Sequence, residues 1–537
     1  MTPPIDLRPD HAKIVHDIIA RYLPGDVSVR VFGSRAKWTA KPHSDLDLAV
    51  KGKGPLPRAV LSDLAEAFSE SDLPFRVDVV DWHSVAPSFQ TVIDRDGKAI
   101  GWQTSPLYDC LESLIDYRGK SPKKSAAGIP VLSAKVVKTT GLLRPIEQTI
   151  APDYYPKWMT RGLPRPGDVV MTTEAPLGEV IQLDEETSKF ALGQRIVCMR
   201  GKAGKLDNTF LRYLLTSPKQ QEILASYSTG TTVLGISQKA LRSIPISYPQ
   251  FDEQERIGAL LSALDDKIEL NRRMNATLER QAQAIFRDWF VDFGPVRRKQ
   301  AGEADPVALL GGLNPDPARA VHLAALFPDA FGDDGLPVGW RRLSLADIAV
   351  QGKGSVNPLR QPETIFEHYS LPAFDKGQEP AMDAGSSIKS NKTPVPQGAI
   401  LLSKLNPETL RVWLPNDRVN VAQIASTEFL VFAPKAGASR SLLFALFRDP
   451  DFRTLMQGMV TGTSKSHQRI SPPALLAQEV LSADQALFPA FASLVEPMLE
   501  RLLASRAENQ SLAETRDYLL PRLMSGTVRV VPQDRAA

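Results

Sequence analysis

The chain has 537 residues, of which 43% are hydrophobic, so it is long enough for three or four domains that each bury a core. No apolar run reaches the roughly 18 residues that a membrane-spanning helix needs, and no basic-then-apolar leader precedes the first domain, so we expect a cytoplasmic protein without a membrane partner. The only cysteines, Cys110 and Cys198, lie in no Cys/His cluster, so we expect neither a disulfide framework nor a structural zinc site.

Residues 1–104 predict a small α/β domain. Its expected elements are a helix, a strand over residues 27–32, a turn at Gly33 and Ser34, a strand with Asp45 and Asp47, a helix over residues 58–69, and a strand over residues 75–80 with Asp78. Side chains two positions apart on a strand project from the same face. Asp45 and Asp47 are therefore expected to face one way, and the third strand can place Asp78 beside them.

Three neighbouring carboxylates repel one another unless a cation neutralises their charge. Hard oxygen ligands suit Mg²⁺, and two such ions can bind a triphosphate and activate an attacking oxygen. The turn at Gly33 and Ser34 offers backbone N–H groups and a hydroxyl to phosphates. The pattern predicts a metal-dependent nucleotide site, and a chance Asp-x-Asp on a solvated strand edge is the alternative.

A segment of about 230 residues is duplicated in the rest of the chain. The matching pieces are Thr229-Gly230-Thr231 with Thr461-Gly462-Thr463, Ile236-Ser237 with Ile470-Ser471, and two helix-like runs that end before Pro218 and Pro450. Short β-branched segments separated by Gly and Pro turns predict that each copy is rich in strands.

Positive charge is concentrated in the two copies. Residues 105–250 hold 19 Lys and Arg against 13 Asp and Glu, and residues 341–475 hold 16 against 11, which leaves the rest of the chain at −8. Two separate basic blocks are typical of two surfaces that face nucleic-acid phosphates. Ordinary solvated basic faces are the alternative.

Each copy is followed by a predicted long helix with a heptad pattern. Positions spaced alternately by four and three run from Ile257 to Trp289, and a shift of 234 residues gives a matching series from Phe491 to Leu523. Pro497 suggests a late start or a kink in the second helix. At roughly 1.5 Å per residue the first helix would span about 50 Å, more than one turn of B-DNA at about 34–36 Å.

Both heptad series become polar at the same two central positions. These are Asn271 and Asn275 in the first helix and Ser505 and Asn509 in the second. Buried polar groups need partners, so we expect the four residues to meet across an interface and to set its register. Polar layers at mid-helix coincide in an antiparallel pair, whereas two separate amphipathic helices are the alternative.

These patterns predict a multidomain protein of α/β and α+β folds, in which two strand-rich repeats alternate with two long helices that form an antiparallel coiled coil. The predicted segments are residues 1–104 for the N-terminal domain, 105–250 for the first repeat, 251–294 for the central helix, 295–336 for a connector with a short helix around 318–326, 337–478 for the second repeat, and 479–530 for the distal helix.

Several motifs accompany the repeat and the helix pair. They are Gly119-Lys120-Ser121-Pro122, Ile129-Pro130-Val131-Leu132-Ser133, the duplicated Thr-Gly-Thr and Ile-Ser, and the helix endings over residues 289–293 and 519–526. With these motifs, residues 105–526 resemble the specificity subunit of type I restriction–modification enzymes. The resemblance implies two target-recognition domains that each read half of a bipartite site in double-stranded DNA.

The same resemblance implies partners. The long helices would bind two methyltransferase subunits and set the spacing of the half-sites, and restriction subunits would join them. A specificity subunit has no catalytic activity of its own, so S-adenosylmethionine and ATP would be bound by those partners.

Basic and polar residues on predicted turns are the candidate DNA contacts. They are Lys120, Lys123, Lys124, Lys135 and Thr231 in the first repeat, and Lys353, Lys404, Lys465 and Arg469 in the second. Most are expected to contact phosphates, which position a protein on DNA without specifying sequence. A solvated surface role is the alternative for any one lysine.

The N-terminal domain carries a second resemblance. Gly33-Ser34, ten further residues, Asp45-x-Asp47 and a later strand aspartate, with Arg35 and Ser44 at matching positions, resemble the minimal nucleotidyltransferases of the polymerase-beta-like superfamily. Trp38 and His43 depart from that pattern.

This resemblance implies catalytic, metal-binding roles for Asp45, Asp47 and Asp78, and nucleotide binding by Gly33, Ser34 and Arg35. Mg²⁺ and a nucleoside triphosphate, ATP, would be the cofactors. An active domain would transfer AMP to a protein or RNA hydroxyl, and such domains commonly act with a separate small helical partner protein.

Three functions stay open from the residues. The leading one is a specificity subunit with an appended nucleotidyltransferase, which DNA binding and co-purification with a methyltransferase would favour. The second is a nucleotidyltransferase that the repeats bring to DNA or to a restriction complex. The third is an antitoxin-type nucleotidyltransferase whose repeats bind a partner protein, which failure to bind any duplex would favour.

Overall fold

A computed structural model describes residues 5–23, 27–41, 43–100, 102–117, 121–230, 233–313, 316–461, 468–483 and 486–526, with residues 528 and 530. The chain divides into two units, residues 1–267 with 511–537, and residues 268–510. Among the helices of the described segments, none is long and apolar enough to cross a membrane.

The N-terminal domain, in the first unit, is a four-stranded sheet with helices. Its elements are strands β1 (Ser28–Phe32), β2 (Leu46–Lys51), β3 (Val77–Asp81) and β4 (Lys98–Ile100), helices α1 (Pro9–Tyr22), α2 (Gly33–Ala36), α3 (Arg58–Ser69) and α4 (Pro87–Asp96), and a 3₁₀ turn over Trp82–Ser84. The strand order is β3-β2-β1-β4, with β2 and β3 parallel and the other pairs antiparallel. Val31, Leu46 and Leu48 of the sheet are completely buried with Val15 of α1 and Leu64 of α3.

The first repeat, also in the first unit, is rich in short strands. Its strands are β5 (Gln103–Pro106), β6 (Leu111–Asp116), β7 (Ile129–Leu132), β8 (Val137–Lys138), β9 (Gly141–Leu142), β10 (Thr149–Ile150), β11 (Val169–Thr173), β12 (Leu177–Gln182), β13 (Ala191–Leu192), β14 (Ile196–Gly201) and β15 (Pro245–Tyr248). Its helices are α5 (Tyr155–Trp158), α6 (Asn208–Thr216), α7 (Pro218–Ser226) and α8 (Gln238–Ser243), with 3₁₀ turns over Leu107–Cys110, Pro152–Tyr154 and Thr187–Lys189.

Two long helices enclose the second repeat in the chain. The helices are α9 (Phe251–Phe290), α10 (Gly294–Gln300), α11 (Pro306–Leu309), α12 (Pro317–Ala324), α13 (Leu345–Ile348), α14 (Leu371–Asp375), α15 (Arg440–Arg448), α16 (Pro450–Gly458), α17 (Pro472–Leu476) and α18 (Leu487–Met524). The strands are β16 (Arg341–Ser344), β17 (Ala349–Gln351), β18 (Ile365–Tyr369), β19 (Ala381–Ala384), β20 (Thr393–Pro394), β21 (Ile400–Ser403), β22 (Val412–Trp413), β23 (Ala422–Ala425), β24 (Phe429–Pro434), β25 (Val460–Thr461), β26 (Arg469–Ile470) and β27 (Glu479–Ser482), with 3₁₀ turns over Pro358–Arg360 and Gly385–Ser387.

The two repeats share the strand order of their four-stranded antiparallel sheet, whereas their second sheets have three strands (β10-β7-β13) and four (β19-β18-β23-β20). The first contains an antiparallel sheet in the order β12-β11-β14-β6, and the second contains the equivalent sheet β22-β21-β24-β17. A second sheet in each contains one parallel pair, β7 with β13 and β18 with β23. The strand that begins each repeat pairs with the strand that ends it, β5 with β15 and β16 with β27. The predicted duplication is therefore a duplication of fold.

The long helices α9 and α18 form an antiparallel pair. In the second unit, Trp289 near the end of α9 packs against Phe491 near the start of α18, with ring centroids 6.1 Å apart, whereas Asn271 lies beside Asn509. In the first unit, the start of α9 shares a hydrophobic core with the end of α18. The predicted antiparallel arrangement is confirmed, because the end of α9 meets the start of α18 and the two helices also meet at Asn271 and Asn509.

Pro497 lies inside α18, which begins at Leu487, so the late start that this proline suggested is wrong. Proline lacks the N–H group that would donate to the carbonyl oxygen four residues earlier, on Ser493. The Arg319 guanidinium donates to that carbonyl oxygen at 2.8 Å and to the Ser493 hydroxyl at 3.0 Å. The helix thus continues past the proline with the freed carbonyl hydrogen-bonded.

The predicted connector packs into a hydrophobic core. Its short helix, expected around residues 318–326, is α12, and α10 and α11 precede it. Val296, Leu323 and Phe327 are buried in the same cluster as Trp289, whose ring meets that of Phe327 edge to face at 5.0 Å. The Gly and Pro content of this segment predicted a simple connector. Its side chains instead pack into the core, so the segment is part of the second unit.

Candidate functional site

Two of the three predicted carboxylates are register neighbours in the N-terminal sheet. Asp47 of β2 lies directly across from Asp78 of the parallel strand β3. Side chains of residues paired in this way project from the same face of a sheet. Asp45 immediately precedes β2 and lies outside the strand on which it was predicted.

Gly33 brings the backbone of α2 against Asp47. Strand β1 ends at Phe32, the register partner of Asp47, and Gly33 follows with a φ of 74°. A Cβ atom built at position 33 would lie 2.2 Å from Oδ2 of Asp47, far closer than non-bonded atoms approach. The glycine therefore permits the close contact between the turn and the carboxylate, with Ser34 next in the same turn.

Two influences act on the pKa of the Asp47 carboxyl. Partial burial raises its pKa, and the negative charges of Asp78 and Asp45 raise it further. Burial and like charges both disfavour the ionised form, and a bound cation would relieve both effects. The electrostatics thus indicate a place where positive charge is needed.

Arg35, which was predicted to bind nucleotide, is buried in the structure. Its side chain is 6% exposed, and its guanidinium donates to the carbonyl oxygen of Ser44 from Nε at 3.1 Å and Nη2 at 2.7 Å, and to that of Asp6 at 3.0 Å. It also lies over the Phe75 ring at 3.9 Å. Burial lowers the pKa of Arg35, against the opposing charges of Asp6 and Asp45. The guanidinium therefore fixes the segment that leads into Asp45.

The donor set suits Mg²⁺, which prefers carboxylate oxygens. Within the segments that the structure describes, no three His, Cys, Asp or Glu side chains lie close enough together to hold a metal ion. Asp78 instead pairs with Arg76, with Nε and Oδ1 2.8 Å apart and side chains 41% and 77% exposed. An exposed ion pair contributes only about 0–1 kcal/mol, so releasing Asp78 to a divalent cation costs little. No sequence pattern pointed to Arg76.

The substitution Gly33→Ala is expected to displace the Asp47 carboxylate and to destabilise this domain by about 1–2 kcal/mol, because the left-handed conformation disfavours a Cβ atom. Gly54→Ala in the same domain is the matched control, since a Cβ there meets nothing within 4 Å. Hydrogen exchange of peptides over residues 28–51 measures the difference. Equal protection in the two variants would contradict the tight contact at Gly33.

Six of the nine candidate DNA contacts lie in the described segments. Lys123, Lys124, Lys135, Lys353 and Arg469 are exposed and Lys404 is half-buried, whereas Lys120, Thr231 and Lys465 lie outside the described residues. Lys135 pairs with Glu147 at 3.2 Å, with both side chains about four-fifths exposed. Arg469 donates from Nε and Nη2 to the two carboxylate oxygens of Glu428, each at 3.1 Å.

The predicted polar layer of the helix pair lies in the second unit. Asn271, completely buried, donates through Nδ2 to Oδ1 of Asn509 and to a carboxylate oxygen of Glu508, both at 2.9 Å. Asn275 and Ser505 are also buried, but the Ser505 hydroxyl donates to the Arg501 carbonyl oxygen of its own helix at 2.8 Å. One cross-helix amide pair therefore joins the two helices at this level.

An ion cluster in the first unit ties the first repeat to both long helices. Asp265 of α9 accepts hydrogen bonds from Arg516 of α18 at 2.8 Å, and from Arg212 and Tyr213 of α6 at 2.8 and 2.7 Å. Burial raises the pKa of the Tyr213 hydroxyl, which therefore donates to the carboxylate throughout the neutral range. One carboxylate thus joins three helices.

The second unit repeats this arrangement with different residues. Glu279 of α9 accepts from Arg506 of α18 at 3.1 Å and from Arg448 of α15 at 2.8 Å. Burial lowers the pKa of Arg506, an effect that the charge of Glu279 opposes. Helix α15 is the equivalent of α6. In each repeat, an arginine of this equivalent helix therefore binds a carboxylate of α9. The heptad pattern did not reveal these clusters, because their residues are far apart in sequence.

Two family models match the chain in adjacent segments. The Type I restriction modification DNA specificity domain matches residues 100–280, and Polymerase beta, Nucleotidyltransferase matches residues 19–103. The junction between the two matches falls where β4 ends and β5 begins.

The chain is also similar to proteins of two classes. The Type I restriction enzyme HindI specificity subunit of Haemophilus influenzae is 24% identical over 409 residues, which cover 67% of this chain and 86% of that protein. The Probable protein adenylyltransferase MntA of the same species is 44% identical over 91 residues, 17% of this chain and 79% of that protein. The crystal structure of a type I restriction–modification S subunit from M. genitalium is 15% identical, with 79% of this chain and 96% of that chain covered, at a TM-score of 0.46.

Proposed function

We propose that this chain recognises a bipartite DNA site through its two repeats. It belongs to the type I restriction–modification specificity subunits and carries a polymerase-beta nucleotidyltransferase domain at its N-terminus. The repeats, with the strand pairs that close them, are accordingly called the first recognition module (residues 103–250) and the second recognition module (residues 337–482). The observation that carries the proposal is their common sheet order, because one fold built twice presents two equivalent reading surfaces. Different side chains on those surfaces would read different half-sites.

The proposed partners are two methyltransferase subunits and the restriction subunits. The chain would direct them to its DNA site, and they would bind S-adenosylmethionine and ATP and carry out methylation and cleavage. The long helices are the proposed surface for the methyltransferase subunits. The Asp265 and Glu279 clusters support this assignment, because they hold each module on the helix pair within its unit and so fix the reading surface relative to that pair.

The test is co-expression of the full chain with a type I methyltransferase subunit, followed by genome-wide mapping of methylated adenines. We expect a bipartite methylated motif that appears only when the chain is present. Omission of the chain is the control. A complex that forms but methylates no defined motif would contradict the DNA-reading role.

A second function is favoured by the N-terminal domain. Its identity to an adenylyltransferase relative and the adjacent Asp47 and Asp78 support transfer of AMP from ATP to a protein hydroxyl. The acceptor hydroxyl oxygen would bond to the α-phosphorus, and the bond from that phosphorus to the oxygen of the β-phosphate would break. Pyrophosphate would leave, and the hydroxyl proton would pass to solvent. Asp45, Asp47 and Asp78 would hold Mg²⁺, which when bound supplies Lewis-acid activation of the triphosphate. Gly33 and Ser34 would position the phosphates at the backbone of α2.

The acceptor is proposed to be a protein, and a small helical protein that acts with this domain is one candidate. The test is incubation of the purified chain with ATP labelled on the α-phosphate and Mg²⁺, with and without the methyltransferase subunit. Label that becomes bound to protein in the presence of Mg²⁺, and does not in the presence of a chelator, is the expected result. Labelling that a chelator leaves unchanged would contradict a metal-dependent transfer.

A further inference from the structure

Each recognition module turns the same sharp corner after a central strand. In the first module, β11 is followed by Ala175 with a φ of 53°, immediately before Pro176. In the second module, β21 is followed by Asn406 with a φ of 49°, immediately before Pro407. Residues other than glycine rarely adopt this left-handed conformation, and such residues cluster at functional sites. The two corners lie 231 positions apart, so they are equivalent within the duplication.

The duplicated Ile-Ser segment closes each corner in the same way. The N–H of Ile236 donates to the carbonyl oxygen of Thr173 at 3.0 Å in the first module. The N–H of Ile470 donates to the carbonyl oxygen of Lys404 at 3.0 Å in the second. The repeated Ile-Ser motif therefore has a structural role, because its isoleucine N–H bonds to the backbone at the end of the central strand.

A third segment joins each corner at the start of the neighbouring strand. The carbonyl oxygen of Arg195, just before β14, accepts from the N–H of Thr173 at 2.8 Å. The carbonyl oxygen of Glu428, just before β24, accepts from the N–H of Lys404 at 3.0 Å. Three segments are thus joined by backbone hydrogen bonds in a frame that is common to both modules.

The side chains on this frame differ between the modules. In the first, Arg195 is 53% exposed and pairs with Glu174 at 3.7 Å. In the second, Glu428 occupies the position of Arg195, and the arginine is Arg469, 44% exposed, which Glu428 holds through both carboxylate oxygens at 3.1 Å. Both modules therefore have an exposed arginine beside a carboxylate at this corner. The arginine precedes β14 in the first module and lies in β26 in the second.

We infer that this corner is the base-reading edge of each module, with Arg195 reading a base in one half-site and Arg469 reading a base in the other. The inference rests on the proposed DNA-reading function and assigns residues to it. An arginine guanidinium donates two parallel hydrogen bonds to O6 and N7 of guanine in the major groove. A neighbouring carboxylate orients that planar group and can itself accept from the amino group of cytosine.

The paired carboxylate also argues against a phosphate contact. Phosphates attract net positive charge, and an arginine beside a glutamate carries its charge largely cancelled. The planar donors of the guanidinium remain, and these are the groups that distinguish bases. Unlike the exposed lysines among the candidate contacts, Arg195 and Arg469 are thus suited to select sequence.

The test maps methylated adenines with the full chain and its methyltransferase subunit, comparing wild type with Arg195→Asn and Arg469→Gln. Asparagine tolerates the left-handed φ of 60° at position 195, so the backbone of the corner is retained. We expect discrimination at one base pair to fall by about 5- to 150-fold, in one half-site for Arg195→Asn and in the other for Arg469→Gln. Arg195→Lys, which keeps the charge without the planar donors, is expected to relax the same half-site.

The controls are Arg144→Ala and Arg342→Ala, exposed arginines that pair with Glu186 and Glu479 in the first and second modules. These variants are expected to leave the motif unchanged. An unchanged motif in both corner variants, or relaxation of the same half-site by both, would overturn the assignment. Absence of any motif with the wild-type chain would instead contradict the proposed function itself, so the two failures are distinguishable.

Discussion

The substitution Asp47→Asn is expected to lower the rate of AMP transfer by on the order of a thousandfold or more. Asparagine keeps the size of the side chain and its contact with Gly33 but removes the negative charge that would bind a cation. Metal ions contribute several kcal/mol to such reactions, and about 1.4 kcal/mol corresponds to a tenfold change in rate. The measurement is initial-rate transfer of label from ATP to protein at saturating Mg²⁺.

The matched control is Asp72→Asn, an exposed aspartate of the same domain, which is expected to transfer AMP at the wild-type rate. Asp47→Asn is also expected to leave the methylated DNA motif unchanged, because the recognition modules have their own hydrophobic clusters apart from that of the N-terminal domain. Transfer at more than a tenth of the wild-type rate by Asp47→Asn would remove Asp47 from the proposed site.

The substitution Glu279→Ala is expected to destabilise the second unit by about 3 kcal/mol. It leaves Arg506 and Arg448 as neighbouring positive charges without their carboxylate, and breaking a buried ion pair costs about 3–5 kcal/mol. The lower end applies because the side chains of Glu279, Arg506 and Arg448 are 18%, 22% and 27% exposed. Hydrogen exchange of peptides over residues 268–290 and 487–510 measures the change, expected as roughly 150-fold faster exchange.

Glu269→Ala provides the comparison, since Glu269 lies ten residues earlier on the same helix and pairs with Arg273 at the surface. Its side chain is 50% exposed and that of Arg273 is 77% exposed, so the loss is expected to stay below about 1 kcal/mol. Similar exchange rates in the two variants would mean that the Glu279 cluster contributes no more than a surface pair.

These variants separate the two chemistries that one chain combines. The proposed nucleotidyltransferase site depends on a few residues at the end of β1 and the starts of β2 and β3, whereas the proposed DNA reading depends on the modules and the helix pair. A change in methylation caused by Asp47→Asn would therefore reveal coupling between the two parts.

Periodic and local features were readable from the sequence. The heptad series predicted both long helices, because the burial of one helix face requires apolar residues at regular spacing. The polar positions that the two series share at mid-helix predicted their antiparallel pairing. The repeated Thr-Gly-Thr and Ile-Ser motifs predicted the duplication, which the shared sheet order confirms. The spacing from Gly33-Ser34 to Asp45 and Asp47 predicted a nucleotide site, and its resemblance to the polymerase-beta-like superfamily implied a nucleotidyltransferase domain.

Only the tertiary structure decided which partners the charged side chains have. Arg35 matched a nucleotide-binding pattern but is buried against the Ser44 carbonyl oxygen, and Asp78 pairs with Arg76. The bonds of Glu279 and of Arg469 join residues between 41 and 227 positions apart in the chain. An ion pair leaves no periodic trace in a sequence, since its geometry depends on how separate elements pack. The sequence by itself thus determined the elements and their repetition, and packing determined which side chains meet.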